Sequence, residues 1–418
     1  MKRIVVTGMG AVTPLGSGVD TNWNRLMAGA SGVRAIDMFD ISGISSKVAG
    51  IVPIGSQPGL FDRDGLFSSR DQSRNDKFIL YILEATRQAL DDSGWHPEDE
   101  LGRQRTSVVV GSGIGGFVTL ENGTRDFDSQ GQRGLSPFFI SSQVINLASG
   151  QICIRHGFKG ADFGVVSACA TGSESIAMAA RLIHLDEADV VVAGGSDATV
   201  DALSIGAFCQ TRALSTAHND TPQLASRPFD RARDGFVIAE GAGVLIMEEY
   251  EHARARGATI YAELAGYASV GDAFHITATS PDGEGEFRAL TICLERAGLR
   301  PDQVDYVNAH ATSTPVGDRG ELAAIRRAFG DPPTAAISST KSATGHTLGA
   351  AGAIEAIYSI LAIRNGAVPP TLNLDDPEPG FEHFNLVPKE AQERKVDVAV
   401  SNAFGFGATK VTLAFKRV

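Results

Sequence analysis

The sequence predicts an α/β protein made of two similar halves, in which helices cover β-sheets on both faces. Apolar strands alternate with helical segments along the whole chain, a pattern typical of folds with a mainly parallel sheet. The strands are apolar at consecutive positions, as in DVVVA, which indicates that both of their faces are covered. Each half also contains a strand, a tight turn and a helix of small residues, with a reactive side chain at the turn. This repetition predicts a duplicated unit.

Length and composition set the limits of the prediction. A chain of 418 residues, 43% of them hydrophobic, can bury two domain-sized cores. Because the pattern restarts near residue 258, we expect an N-terminal half at residues 1–258 and a C-terminal half at residues 259–418. A net charge of −12 disfavours a nucleic-acid-binding protein. The four cysteines lack paired short spacings, which fits neither a disulfide framework nor a zinc site and favours the cytoplasm.

Apolar runs bounded by turn residues predict the strands, and apolar residues at helical spacing predict the helices. The expected strands are Arg3 to Gly8, Thr106 to Val110, Phe163 to Val166, Asp189 to Ala193, Ala242 to Met247, Ile260 to Ala268, Val304 to Asn308, Val396 to Ser401 and Lys410 to Phe415. The expected helices are Asp20 to Ala28, Lys77 to Ser93, Ser173 to His184, Glu249 to Arg256, Glu286 to Ala297 and Gly349 to Ile363. The region 36–74 is rich in glycine and serine and is expected to be an irregular surface excursion.

Cys169 lies in the segment around which the first half is organised, VVSACATGSESIAMAARLI at Val165 to Ile183. A strand enters a turn at 167–172 and a helix follows, so Cys169 stands between a strand and a helix N-terminus. The unpaired N–H groups and the positive end of the helix dipole favour a thiolate, which is the nucleophilic form. We interpret Cys169 as a candidate nucleophile, with a space-filling buried cysteine as the alternative.

A glycine-rich loop, GSGIGG at 111–116, follows a predicted strand and formally matches the dinucleotide-binding pattern. A dinucleotide site needs a helix that opens directly from the glycines, whereas the next residues, FVTLENGTRDFDSQGQRG, are polar and broken by glycine. The sequence therefore favours a close-packed loop that approaches another element or a ligand.

Two histidines and a lysine occupy strand ends or helix starts in the second half. His310 follows the strand YVNA, and Lys341 and His346 lie in KSATGHTLG just before a small-residue helix. A single histidine is more often structural than catalytic. Together with Cys169, however, these residues indicate a site, because α/β folds place their chemistry at strand ends.

Five motifs, in order along the chain, resemble those of the elongating, type II β-ketoacyl-acyl-carrier-protein synthases, which belong to the thiolase-like superfamily. The motifs are ACATG around Cys169, RPFDRARDGFVIAEGAG from Arg227, NAHATSTPVGD from Asn308, STKSATGHTLGAAGAIE from Ser339 and SNAFGFGATK from Ser401. The resemblance covers essentially the whole chain and implies a thiolase-like α-β-α-β-α layering. The family usually has glycine where this chain has Ala311 and Ala408.

The resemblance also implies a division of roles in a decarboxylative condensation. Cys169 would accept an acyl chain from a carrier-protein thioester. His310 and His346 would donate ring N–H groups to the enolate formed when a malonyl thioester loses carbon dioxide. The backbone N–H groups of Cys169 and Phe406 would stabilise the oxyanion of the acyl carbonyl.

Other residues are assigned supporting roles by the same resemblance. Lys341 would orient the site with Glu355 as its partner, since an unpaired carboxylate is costly to bury. Thr277 and Thr312 match the hydroxyls near the malonyl carboxylate. Asn308, Glu355 and Asn402 could shape a structural cation site, although no metal-ligand spacing requires one.

A gate and an acyl pocket are also implied. Phe406 matches a gate over the active-site cysteine, with Gly405 and Gly407 as hinges. Ile114, in the glycine-rich loop, matches the residue that borders the acyl pocket.

An acyl carrier protein is the implied partner, and no cofactor is implied beyond the phosphopantetheine arm that carries the substrates. Because carrier proteins are acidic, docking needs a local basic patch, which we assign to Arg70, Arg74, Lys77 and Arg212. A homodimer is implied as well, with the strand at Asp189 to Ala193 pairing across the two-fold axis.

Two other classes of protein with this kind of fold differ from the synthases in their cysteines. A degradative thiolase commonly uses a second cysteine near its C-terminus, and no cysteine follows Cys293. A chain-length-factor subunit pairs with an active synthase and lacks the nucleophile, whereas Cys169 is present.

Overall fold

The structure is a computed structural model that describes residues 2–418. Its strands, β1 to β15, are Ile4–Thr13, Gly16–Ser17, Val33–Ala35, Val48–Gly50, Thr106–Gly111, Asp162–Val165, Val190–Asp197, Gly241–Glu249, Ala262–Gly271, Tyr306–Asn308, Ala336–Ser338, Ala367–Val368, Gln392–Glu393, Val398–Phe404 and Thr409–Lys416. Its helices, α1 to α15, are Val19–Met27, Arg63–Leu66, Ser69–Arg74, Lys77–Ser93, Glu100–Gln104, Phe117–Gln130, Phe139–Gln143, Asn146–His156, Thr171–His184, Ala202–Gln210, Tyr250–Ala255, Glu284–Ala297, Pro315–Phe329, Lys341–Thr344 and Ala351–Asn365. Short 3-10 turns connect several of these elements.

The main sheet consists of two sets of strands with the same order and direction. The full order is β11-β10-β14-β15-β9-β1-β8-β7-β5-β6. In the first half β6, β5 and β7 are parallel, and β8 and β1 follow antiparallel. In the second half β11, β10 and β14 are parallel, and β15 and β9 follow antiparallel. The predicted duplication is therefore confirmed.

The helices form one layer between the strands of the two halves and one layer on each outer face. Helices α9 and α15 pack on each other and each contacts strands of both halves, so they form a central layer. Helices α4 and α8 cover the first half from outside, and α12 covers the second half with α13 packed on it. This arrangement confirms the α-β-α-β-α layering. The division at residues 258 and 259 stays a prediction, because β1 and β9 pair and join the two halves into one sheet.

The two central helices approach each other closely at Gly172 of α9 and Gly352 of α15. A Cβ at Gly172 of α9 would lie 2.7 Å from the backbone nitrogen of Ala353 in α15, and a Cβ at Gly352 would lie 2.3 Å from the Oγ of Ser173. Only glycine fits at such distances, so the backbones themselves set the spacing of the halves.

The clearest sequence signals gave correct elements. Helix α4 spans Lys77–Ser93 as expected: the Asp76 carboxylate accepts from the N–H of Phe78, and Gly94 ends the helix with a φ of 63°. Other strands and helices agree with their predicted positions within a few residues, although β1 continues to Thr13 because its whole length is buried.

Several expectations were wrong. The region 36–74 contains β4, α2 and α3, and it buries Ile51, Val52 and Phe61, so it is not merely a surface excursion. Helix α6 opens directly after Gly116, against the expectation of a polar, broken segment. A dinucleotide still has no place there, because the carboxylate of Asp197 occupies the N–H groups of Gly113 and Ile114.

The strand at Asp189 to Ala193 cannot pair across a two-fold axis, so that expectation was wrong. It forms part of β7, which lies between β5 and β8 and is hydrogen-bonded on both sides. The edge strand of this half is β6. None of the helices in residues 2–418 has the length and hydropathy needed to cross a membrane.

Candidate active site

A cavity of about 440 Å³ lies where the ends of strands from both halves meet. It brings together seven of the residues singled out in the sequence: Ile114, Cys169, Thr277, His310, Thr312, His346 and Phe406. Lys341 and Glu355 do not line it, and they lie buried behind it. Two residues of the first half and five of the second thus line one cavity, as the strand-end argument predicted.

Cys169 lies on a 3-10 turn, Ala168–Ala170, between β6 and the start of α9 at Thr171. Ala168 has a φ of 47°, so this turn holds a backbone conformation that L-residues rarely adopt. The backbone N–H groups of Cys169 and Phe406 lie near the Cys169 sulfur and favour its negative charge, so both lower the pKa of the thiol. These two groups are the pair that the resemblance implied for an oxyanion hole.

The half-buried thiol of Cys169 is not a thiolate at rest. Burial, and then the negative charge of Asp197, raise its pKa to about 12, against smaller opposing effects of Lys341 and the two N–H groups. The N–H groups beside the sulfur favour the thiolate, as expected, but burial outweighs them, so the thiolate is not the resting form. The thiol must lose its proton as it attacks.

His310 and His346 stand edge to face, with ring centroids 5.4 Å apart. Desolvation by burial, followed by the charge of Lys341, lowers the pKa of both rings well below its usual value. Both imidazoles are therefore neutral at physiological pH and retain one ring N–H to donate. Phe404 packs against His310, and Phe236 packs edge-on against His346.

Lys341 pairs with Glu355, as predicted: its Nζ contacts Oε1 of Glu355, and both side chains are buried. The Oγ of Ser226 donates to the backbone oxygen of Lys341 at 2.7 Å and fixes the start of α14. Because Lys341 lowers the pKa of both histidines, its charge acts on the site without contacting a substrate.

Glu321 was missed at the sequence level. It lies on α13, is buried, and accepts hydrogen bonds from the backbone N–H of His310 at 2.9 Å and of Ala311 at 2.7 Å. Asn402 donates to the same carboxylate at 2.9 Å. Thr314 before Pro315 and the terminal Gly330 could have revealed α13, since proline at the first helical position and glycine after the last are helix-boundary signals.

Backbone hydrogen bonds join the segment around Phe406 to the loop that contains Thr277. Phe406 is 40% exposed at the mouth of the cavity. The N–H of Gly407 donates to the oxygen of Ile276 at 2.8 Å, next to Thr277, and the N–H of Asp272 donates to the oxygen of Ala408 at 2.9 Å. Thr312 lies deeper, with its Oγ1 atom 3.2 Å from that of Thr314.

Ala408 has a φ of 72°, in the left-handed region where the family's glycine would be unstrained. Just beyond it Lys410 is buried, with its Nζ 3.0 Å from Asp272 and 3.7 Å from Glu286. This cluster was also missed, because its members are distant in sequence.

Three buried oxygens near Lys341 have no hydrogen-bond partner: Asn308 Oδ1, Glu355 Oε2 and Ser401 Oγ. Asn308 and Ser401 are register partners on β10 and β14, so their side chains lie on the same face of the sheet. Asn402 points to the other face, where Glu321 and Thr412 occupy its amide. The candidate cation set therefore changes from Asn402 to Ser401.

The residues assigned to carrier-protein docking do not form one free patch. Arg212 is exposed and lies between Thr211 and Ala213, which line the cavity. Arg70 is exposed on α3. Arg74 instead stacks on the ring of Phe138, and Lys77 lies 3.3 Å from the buried carboxylate of Glu240.

Comparisons with known proteins agree along the chain. Residues 1–253 match the family model "Beta-ketoacyl synthase, N-terminal domain", and residues 261–375 match "Beta-ketoacyl synthase, C-terminal domain". The 3-oxoacyl-(acyl-carrier-protein) synthase 2 of Rhizobium meliloti (strain 1021) is 48% identical, covering 100% of this chain and 99% of its own. The mitochondrial 3-oxoacyl-(acyl-carrier-protein) synthase of Arabidopsis thaliana is 47% identical, covering 100% of this chain and 94% of its own.

A solved structure has the same fold. It is described as a type II PKS acyl-carrier protein in complex with its ketosynthase bound to the hexaketide; the similar chain has a TM-score of 0.91 and 33% identity, with 100% of each chain covered. With both family domains matched and a cysteine facing two histidines across one cavity, this chain belongs to the β-ketoacyl synthase family and is an acyltransferase of the condensing class.

Proposed function

We propose that the protein elongates fatty acyl chains by condensing a malonyl unit with an acyl group held on Cys169. The observation that carries the proposal is the placement of Cys169 opposite two neutral histidines in one cavity, with two backbone N–H groups at its sulfur. A nucleophile and an enolate-stabilising pair are the two parts that a decarboxylative condensation needs.

In the first half-reaction, Cys169 attacks an acyl thioester. The new carbon–sulfur bond forms as the thioester bond to the carrier's arm breaks, and the cysteine proton passes to the departing thiolate. The N–H groups of Cys169 and Phe406 hold the oxyanion of the tetrahedral intermediate. A protonated resting thiol suits this exchange, because the leaving group needs the proton that the cysteine releases.

In the second half-reaction, malonyl thioester occupies the same cavity. Its carboxylate leaves as carbon dioxide, and the electron pair of the broken bond forms an enolate whose oxygen accepts from His310 and His346. The enolate carbon then attacks the acyl carbonyl, and the bond to Cys169 breaks. The 3-oxoacyl thioester leaves, and the released Cys169 thiolate takes a proton from water to restore the resting thiol. Neutral imidazoles suit this role because they donate hydrogen bonds without surrendering a proton.

Other residues around the site would hold the substrate and the buried charges in place. The hydroxyls of Thr277 and Thr312 face the cavity and would bind the malonyl carboxylate before it leaves. Asn308, Ser401 and Glu355 offer buried oxygens without a hydrogen-bond partner, and they are the residues that would hold a structural cation. The chemistry as proposed needs no other cofactor, since loss of carbon dioxide drives the carbon–carbon bond.

An acyl carrier protein is the proposed source of both thioesters, supported by the carrier-protein complex of the similar ketosynthase. We also propose a homodimer, in which the edge strand β6 takes the place first assigned to Asp189 to Ala193. Phe163 in β6 and the adjacent Val166 are exposed apolar residues, which favours their burial by a second copy. A cytoplasmic location is proposed from the unpaired cysteines.

Intact-mass measurement tests the proposed function. Incubation with an acyl-carrier-protein thioester should add one acyl group to the wild type and to the control Cys209→Ser, and none to Cys169→Ser. Malonyl carrier protein should then remove the acyl group as a 3-oxoacyl product. No acylation of the wild type would favour a scaffold subunit and would sink the proposal.

A further inference from the structure

Asp197, the last residue of β7, is fully buried and accepts four hydrogen bonds. Its Oδ1 accepts from the Oγ of Ser112 and from the N–H of Ile114 at 3.3 Å. Its Oδ2 accepts from the N–H of Gly113 at 3.0 Å and from the N–H of Gly349 at 2.6 Å. All four partners are donors, so a carboxylate fits here and a group that itself donates does not.

The donors come from both halves of the chain. Ser112, Gly113 and Ile114 belong to the glycine-rich loop that carries one wall of the cavity. Gly349 lies in the 3-10 turn Leu348–Ala350 just before α15, three residues after His346. A single carboxylate thus ties the pocket wall of the first half to the histidine segment of the second. These hydrogen bonds also explain the glycine-rich loop, which supplies N–H groups to the carboxylate of Asp197.

The nucleophile's turn is packed into the same junction. A Cβ at Gly113 would lie 2.9 Å from Oδ2 of Asp197 and 3.2 Å from the backbone oxygen of Ala168, the residue before Cys169. A Cβ at Gly349 would lie 2.4 Å from the backbone nitrogen of Gly113. Backbone therefore meets backbone around the carboxylate, and a shift of any one segment displaces the others.

Asp197 also acts on Cys169 through its charge. After burial, the charge of Asp197 is the next cause of the raised pKa of the Cys169 thiol, and the charge of Lys341 opposes it. A buried negative charge beside the sulfur disfavours the thiolate, the form that reacts with oxidants and alkylating agents.

We propose that Asp197 is a positioning residue that aligns the acyl-pocket loop and the 3-10 turn before α15 around Cys169, and that its charge keeps the unacylated cysteine protonated. The proposal rests on the proposed role of Cys169 as the acyl acceptor. It assigns Asp197 no contact with a substrate, since the carboxylate does not line the cavity.

The test is the pH dependence of iodoacetamide alkylation of Cys169, followed by mass spectrometry, in the wild type and in Asp197→Asn. Asparagine has nearly the same shape as aspartate but no charge, and its amide N–H group would face the hydrogen-bond donors that now bind the Asp197 carboxylate. The variant should be alkylated about tenfold faster at a given pH below the thiol pKa, which corresponds to a pKa lower by about one unit. The ratio of long-chain to short-chain elongation should also fall, because Ile114 loses its tether.

Two further variants separate the effect of the Asp197 charge from general destabilisation and from the alignment of the loop. Glu248→Gln changes a carboxylate that is equally buried but bound by Arg256 and Thr7, and should leave the alkylation profile unchanged. Ser112→Ala removes one donor and keeps the charge, so it should lower the chain-length ratio without faster alkylation. Alkylation of Asp197→Asn at the wild-type rate would overturn the charge role, and an unchanged chain-length ratio in Ser112→Ala would overturn the alignment role. A wild type that accepts no acyl group would instead refute the proposed function, whatever the alkylation result.

Discussion

The Nζ atom of Lys341 contacts Oε1 of Glu355 in an ion pair that is almost completely withdrawn from solvent, while Oε2 of the same carboxylate has no hydrogen-bond partner. The two residues are 14 positions apart, on α14 and α15, so the pair also fixes how these helices follow each other. The charge of Lys341 lowers the pKa of both His310 and His346.

Breaking this pair should be costly. Glu355→Gln leaves the Lys341 ammonium buried without a counter-charge, and the free energy of unfolding in urea should fall by about 3 to 5 kcal/mol. The double variant Lys341→Met, Glu355→Gln should recover part of that loss, because no uncompensated charge remains. If both variants lose the same stability, packing and not charge holds the segment.

The histidines should make stability depend on pH. Their folded pKa lies below the ordinary 6.5, so under acid conditions the unfolded chain binds protons that the folded chain does not, and stability falls as pH falls below 6.5. Each histidine should contribute about 1.4 kcal/mol per pH unit. Buried carboxyls such as Glu321, whose pKa burial raises to about 7, act in the opposite direction. The measurement is therefore the difference between the wild type and His346→Gln, and the wild type should lose more stability on acidification.

The two half-reactions should separate by mutation. Cys169→Gln should abolish condensation and still release carbon dioxide from malonyl carrier protein. His310→Ala and His346→Ala should decarboxylate about 10² to 10³ times more slowly, since each lacks one donor to the enolate oxygen. Labelled carbon dioxide and acyl-enzyme mass should be followed together. Equal loss of decarboxylation in all three variants would contradict this division of roles.

Ile114 should limit chain length. It lines the cavity and packs in the same apolar cluster as Cys169, Phe208 and Leu348. Ile114→Phe adds volume to a close-packed wall, so long acyl groups should lose activity first and short ones should be retained. Ile114→Leu, which keeps the volume, is the control. Equal loss at all chain lengths would show that Ile114 does not border the acyl chain.

Arg212 should assist carrier-protein docking. It is exposed beside the cavity on a chain whose net charge is −12, so it offers a local attraction against an unfavourable overall field. Arg212→Glu should raise KM for the carrier-bound substrate, and added salt should bring the wild type towards the variant. Arg254→Glu, at an exposed arginine outside the cavity, is the control. An unchanged KM would exclude Arg212 from docking.

Local signals explain what could be predicted from sequence. The helix Lys77 to Ser93 is bounded by its own signals, the N-cap Asp76 and the terminal Gly94. Cys169, His310 and His346 each lie next to a strand or helix that the sequence pattern predicts. Glu321 and Asp197 could not be found in this way, because their hydrogen-bond partners are distant in the chain. No residue near a carboxylate in a helix or strand indicates that it is buried and functional. The position of β7 inside the sheet was missed for a related reason, since strand order depends on pairing that no single segment encodes. The neutral thiol of Cys169 depends on burial by residues from both halves.

The close crossing at Gly172 and Gly352 limits how turnover can proceed. Cys169 lies just before one crossing helix and His346 just before the other, and the spacing of these helices is set by contacts between backbones. Cys169 and the two histidines should therefore keep their separation while the arm of one carrier protein leaves and the arm of the next arrives. We expect the timing of the two half-reactions to be decided at the entrance of the site, where the exposed Phe406 lies.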